Sequence, residues 1–232
     1  MIWDVPRLWD GGQCWIIGGG PSIPRLFGVP EQLIDDVFEK RQPVSAFSPY
    51  LSPIHDKHVI GINAAYRIGS WMDIIFFGDN RFFLENQRHL LAYPKIKVTC
   101  NPNTKTEPAA RYIKIMARDG RHPQGITERK GFVSWNKNSG AASLSLACQM
   151  GARQIILLGF DMDTDSKARQ HWHSAYKSAN TKKIPRKLSF RRHLLCWPMI
   201  ARDARRLGVE VLNCSVRSAI RELRKVKLED VL

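Results

Sequence analysis

The chain has 232 residues, 44% hydrophobic and 25% charged, with a formal net charge of +15. That length buries a sizeable core without staples, and no apolar run approaches the ~20 residues of a membrane span. The five cysteines are odd in number and scattered, and they lack CxxC spacing, so they read as buried thiols in a reducing compartment rather than a disulfide scaffold.

The start, MIWDVPRLWD, has neither the basic head nor the apolar core of a secretory signal, so a cytoplasmic protein is expected. Five apolar runs then read as buried strands: CWIIG (14–18), HVIGIN (58–63), DIIFFGD (73–79), QIILLGFD (154–161) and VEVLN (209–213). KIKVTC (95–100) is a weaker sixth. Continuous apolarity rather than alternation marks strands covered on both faces, the habit of parallel sheets. Helical patterns lie between them at 30–40, 80–93, 139–152 and 198–208, the last two stopping on Gly151 and Gly208. Strands alternating with helices predict an α/β fold with a doubly wound, mainly parallel sheet. One domain over 1–232 is expected, with polar, basic excursions at about 101–138 and 162–192.

The first strand stops on Gly18, Gly19, Gly20, Pro21 and Ser22. A glycine-rich turn there lets backbone N–H groups face a phosphate with no Cβ in the way. GGGPS fits neither GxGxxG nor the Walker loop and carries no lysine, so a tight structural turn is an equal reading. Asn63 ends the second strand, and Asp79 with Asn80 ends the third, at the edge where open sheets bind ligands. Each of them could instead cap the helix that follows. Asn138, Ser139 and Gly140 open a helix of small residues whose N-terminus prefers an anion, and Asp161 ends the strand after it.

HWHSAY (171–176) follows that strand. His171 and His173 point the same way if extended, which suits a metal with Asp161 or Asp163, a general base, or phosphate neutralisation. Trp172 and Tyr176 could stack on a base or sugar. The charge is one-sided: residues 1–116 carry 13 Lys/Arg and 11 Asp/Glu, whereas 117–232 carry 23 and 10. The stretch 167–206 holds 12 Lys/Arg against Asp203 alone. Such a surface attracts a polyanion, nucleic acid among them, with Lys182, Lys183, Arg186, Arg191 and Arg192 as candidate contacts.

Together, IIGGGPSI, the strand-ending Asn63, SGAASLSLACQMGARQIILLGFDM and the histidine loop resemble the bacterial sialyltransferases of glycosyltransferase family 42. They also resemble the archaeal 6-hydroxymethylpterin pyrophosphokinase-like (MptE-like) proteins, which share that Rossmann-like core, and uncharacterised tailed-phage proteins. The sialyltransferase resemblance implies that the Gly-rich loop, Asn63, Ser139 and Gly140 contact the CMP part of a nucleotide-sugar donor. It implies a general base in the histidine loop, His171 or His173, with His173 preferred, and an inverting transfer that needs no metal and no tightly bound cofactor. The MptE-like resemblance implies ATP and Mg²⁺ instead, with Asp79 and Asp161 at the metal. The chain lacks the sialyltransferases' tyrosine pair at the leaving phosphate, for which Tyr66, Tyr112 and Tyr176 are substitutes.

The expectation is therefore a glycosyltransferase-like enzyme with a polyanionic acceptor, a hydroxylated base in phage DNA among the candidates. The alternatives are an Mg-dependent phosphoryl or pyrophosphoryl transferase, and a non-catalytic nucleic-acid-binding protein.

Overall fold

All six apolar runs become strands of one sheet. A computed structural model describes residues 2–174 and 186–232, apart from the side chains of 109 and 186–189. In chain order it contains β1 (Gln13–Ile17), α1 (Ile23–Leu26), α2 (Glu31–Phe38), β2 (Val59–Ile62), β3 (Ile74–Phe77), α3 (Asn80–Ala92) and β4 (Ile96–Thr99). There follow β5 (Lys114–Ile115), β6 (Ala117–Arg118), β7 (Phe132–Val133), α4 (Ser139–Gln149), β8 (Gln154–Leu158), α5 (Arg186–Leu194), α6 (Trp197–Leu207), β9 (Glu210–Asn213) and β10 (Arg224–Lys225).

Eight strands form a sheet in the order β10-β9-β8-β1-β2-β3-β4-β5, with parallel pairing throughout. The chain builds outward from β1 through β2 to β5, then returns to add β8, β9 and β10 on the other side. This is the expected doubly wound, Rossmann-like α/β fold, and its order reverses between β1 and β8. Trp15 pairs with Val59 on one side and Ile156 on the other. In such sheets ligands bind beyond the carboxyl ends of the strands at that switch point.

Two cores explain the continuous apolar runs. Cys14, Ile16, Ile74, Phe76, Ile155 and Leu157 face one core, with α4 and α6. Their alternate neighbours Trp15, Ile17, Ile75, Phe77, Ile156 and Leu158 face the other, with α2, α3 and the short helical turns of 44–54. α4 lies against the sheet with every residue from Gly140 to Ala147 buried, which its small side chains permit. A helix apolar all round is a buried helix.

The four expected helices appear within about three residues of their expected ends. α1, α5 and the two-residue strands β5, β6, β7 and β10 do not announce themselves in the sequence, because each is too short or too polar to show a period. The excursion at 101–138 supplies β5 and the separate β6–β7 pair. Among the described residues no helix is long and apolar enough to cross a membrane.

Candidate functional site at the sheet switch point

The Gly-rich loop is stitched to the end of β8. Gly18 N–H donates to Leu158 O (2.8 Å), Gly20 N–H to Gly159 O (2.8 Å) and Ser22 N–H to Asp161 Oδ2 (3.1 Å). The glycines are there for close approach. A Cβ on Gly18 would sit 2.8 Å from Gly159 O, and one on Gly20 would lie 2.6 Å from that oxygen and overlap the Asp161 carboxylate. Asp161 is buried, and burial raises its pKa against the bonds from Ser22 and Ser215. Three of the loop's N–H groups are therefore committed inside the protein, and α1 beyond them is a single turn. Pro21 has no N–H, so of the loop's backbone donors only that of Gly19 lies outside these bonds.

The loop instead positions the histidine segment. Gly18 O accepts from Trp172 Nε1 (2.9 Å), and Gly19 O accepts from Trp172 N (3.3 Å) and from His171 Nδ1 (3.2 Å). A carbonyl only accepts, so Nδ1 carries the proton, and the lone pair of the neutral ring lies on Nε2. Burial, reinforced by nearby His193, lowers the His171 pKa and keeps that ring neutral near pH 7. Upstream, an ion-pair clamp holds the same segment to α2. Arg169 bonds Asp165 (2.7 Å) and Asp35 (2.9 Å), and Lys167 bonds Asp35 (2.6 Å). Arg169 and Asp165 are more than nine-tenths buried in their side chains.

Opposite lies the start of α4. Asn138 caps it, its side chain accepting from Ala141 N (3.2 Å). Trp135, Lys137, Asn138, Ser139 and Gly140 face Gly18, Gly19, Gly20 and His171 across a cavity of about 310 Å³. That volume is at the lower end for a small-molecule pocket. Asn63 and Asp79 from the ends of β2 and β3, Met162 and Asp163 from beyond β8, and Phe190, Arg192 and His193 of α5 complete its lining. Asn63, Lys137 and Met162 hold φ of 51°, 52° and 51°, the left-handed region that such residues seldom occupy. Backbone strain of this kind clusters at ligand sites. The Asn63 side-chain oxygen is buried and has no hydrogen-bond partner among the described residues.

The structure thus brings Gly18, Gly19, Gly20, Asn63, Asp79, Ser139, Gly140, His171 and Arg192 to one cavity. Others fall elsewhere. His173 is 3% exposed and outside the cavity wall, its ring stacked on that of His171 at 5.4 Å. Burial lowers its pKa, and of the two rings it is His171 that borders the cavity. Trp172 is 2% exposed and bonded beneath Gly18, so it is a prop and not a stacking surface. Pro21, Ser22 and Asp161 border a separate cavity. Asn80 accepts from Asn101 Nδ2, and Asp79 caps α3 through Arg81 N while lining the site.

Neither substitute tyrosine lies at the cavity: the Tyr66 hydroxyl donates to Asn86, and Tyr112 is exposed. Tyr176, Lys182, Lys183 and the Arg186 side chain lie outside the described residues. Arg191 is exposed away from the cavity. The basic stretch is partly neutralised, since Lys167, Arg169, Arg202 and Arg206 pair with carboxylates. Among the described residues no cluster of His, Cys, Asp or Glu is arranged to hold a metal ion, so the His171/His173/Asp metal arrangement does not form. Sequence reasoning passed over Trp135, Lys137 and His193. WNKNSG did carry a signal, an aromatic and a lysine just before a helix cap at the sheet's ligand edge.

Two of the solved structures to which the chain is similar are sialyltransferases. One is the sialyltransferase CstII from Campylobacter jejuni with a substrate analogue, cytidine-5'-monophosphate; it is 14% identical, with 93% of this chain and 84% of that one covered and a TM-score of 0.47. The other is the sialyltransferase CST-II with a trisaccharide acceptor and CMP; it is 13% identical, with 93% and 86% covered and a TM-score of 0.50. No protein-family model and no curated protein matches the chain. The likeness to the second is one of fold.

Proposed function

We propose that the chain is a nucleotide-sugar-dependent glycosyltransferase with His171 as general base. The carrying observation is the cavity at the switch point, with a neutral His171 on one wall and the start of α4 on the other. His171 Nε2 takes the acceptor hydroxyl's proton as that oxygen attacks the sugar's anomeric carbon. The bond from that carbon to the nucleotide phosphate breaks, and its electron pair leaves with the phosphate. Lys137, Arg192 and the first N–H groups of α4 meet the charge that develops there. The step inverts the anomeric centre and needs no metal. The sialyltransferases of like fold were solved with CMP, which supports a nucleotide donor here.

The net charge of +15 supports an anionic acceptor, and a hydroxylated base in DNA is the form that also matches the phage resemblance. A duplex base would have to leave its stack to reach His171. Binding to such DNA should fall steeply with salt, by roughly 0.9 log units per phosphate contact per decade.

The test is a thermal-shift screen with CMP, UDP, GDP and ATP, with and without Mg²⁺. A bound nucleotide at about 100 times its Kd adds about 2.7 kcal/mol of stability. A pyrimidine or guanine nucleotide that stabilises the protein in EDTA is the expected result. Stabilisation by ATP only with Mg²⁺ would replace this reading with phosphoryl transfer. His171→Asn should then cut sugar transfer roughly 10²–10⁴-fold while leaving nucleotide binding intact. Transfer unchanged in that variant removes His171 as base.

A further inference from the structure

One short loop presents three kinds of group in a row. Between β7 and α4 it carries the indole of Trp135, the ammonium of Lys137 and the N–H groups that open α4, and Trp135, Lys137, Ser139 and Gly140 all line the same cavity. The loop is built rather than draped. The Asn136 side chain accepts from Gly125 N (2.8 Å) and donates to Gly125 O (3.0 Å) and Ser134 O (2.9 Å), and Asn138 N–H donates to Trp135 O (3.2 Å). Asn136 and Lys137 both hold left-handed φ, 55° and 52°. Two consecutive residues of this kind are costly, and the bonds of Asn136 hold them in place.

The indole itself is fixed. Arg118 lies over it with the guanidinium carbon 3.9 Å from the ring centroid, and donates to Cys100 O (3.0 Å) and Gly78 O (2.8 Å). Gly78 backs the ring: a Cβ there would sit 2.5 Å from Trp135 Cη2. A large aromatic ring has been made room for, locked on one face by a cation, and left half-buried at the wall of a cavity. Burial alone would not require it to reach the cavity.

Resting on the reading of this cavity as a nucleotide site, we propose that Trp135 is the stacking platform for the nucleobase, so that base and phosphate are held by one loop. The base lies on the indole surface that Arg118 leaves uncovered, and the phosphate lies toward Lys137 and the start of α4. Stacking tolerates any base because each has a π-face. Trp135 therefore sets affinity for the nucleotide class, while the choice among bases falls to polar groups lining the same cavity, Asn63 and Asp79.

The experiment is calorimetric titration of the full chain with CMP, UMP, AMP and GMP, and with ribose 5-phosphate, which keeps the phosphate but lacks the base. Trp135→Ala should weaken the best-binding nucleotide roughly 5- to 150-fold and leave ribose 5-phosphate unchanged. Trp135→Phe should restore most of the loss. Ribose 5-phosphate binding also reports that the Trp135→Ala cavity is still folded. Nucleotide affinity unchanged in Trp135→Ala overturns the platform, as does an equal loss for ribose 5-phosphate in both variants. A wild-type chain that binds none of the four nucleotides fails earlier, at the nucleotide reading itself.

Discussion

Gly20→Ala tests whether the glycine-rich loop is a packing device. The new Cβ would lie 2.6 Å from Gly159 O and 2.8 Å from Asp161 Cγ, and would overlap the carboxylate oxygen. Two of those atoms accept hydrogen bonds that hold the loop, from Gly20 N and Ser22 N. The backbone must shift, and both bonds lengthen or break. Overpacking of this sort costs about 1–3 kcal/mol, and a lost bond to a charged group about 1.5–3. A combined loss of about 3–5 kcal/mol corresponds to a fall in Tm of roughly 10 °C or more for a chain of this length. Thermal unfolding followed by circular dichroism reads it directly. Gly120→Ala is the control, since a Cβ there meets nothing within 4 Å and its φ is not in the left-handed region; it should be neutral or stabilising by up to about 1 kcal/mol. Gly28→Ala, also open but at φ +67°, should show backbone strain alone, about 1–2 kcal/mol. A Gly20→Ala protein within about 0.5 kcal/mol of Gly120→Ala would refute the close-approach argument, because surface changes alone span that range.

The histidine pair sets a pH window. Burial lowers the folded pKa of both His171 and His173 below 6.5, so the unfolded chain takes up protons first as pH falls. Their contribution to stability is complete above 6.5 and is lost as pH drops from there toward the lowered values. Tm measured from about pH 8 to about pH 5 should decline in the wild type and decline less in His171→Gln/His173→Gln; equal slopes would count against the burial account. The clamp gives a third prediction. Arg169→Ala leaves Asp165 buried with its main partner gone and should cost about 3 kcal/mol in urea unfolding. A loss below 1 kcal/mol would mean that Arg25 and the backbone N–H groups already satisfy Asp165, as about 1 kcal/mol is the net worth of one ordinary bond.

The sequence by itself determined the sheet and the edge at which the site would lie. Runs such as CWII and IILL contain no polar residue to turn outward, so they had to be covered on both faces, as strands of a parallel sheet between helices are. The stops at Gly18, Asn63, Asp79 and Asp161 placed chemistry at the carboxyl ends, since strand direction is common to all parallel neighbours. Short strands such as β5 and β10 were not legible, because two residues have no period, and α5 was masked by its uniform basicity.

Only tertiary structure decided what those stops do. GGGPS is spelled alike whether its amides face a phosphate or the end of β8, and only the packing of Asp161 and Gly159 against the loop shows that those of Gly18, Gly20 and Ser22 bond there. His171 and His173 are the same residue type two positions apart. Their ranking came from which ring borders the cavity while the other lies behind it, and no local pattern encodes that. Trp172 and Trp135 differ in placement for the same reason. One indole donates its N–H into the loop and disappears beneath it, whereas the other is held at the cavity wall by Arg118. A side chain's chemistry is local, but whether that chemistry meets solvent, ligand or core depends on strands more than a hundred residues apart.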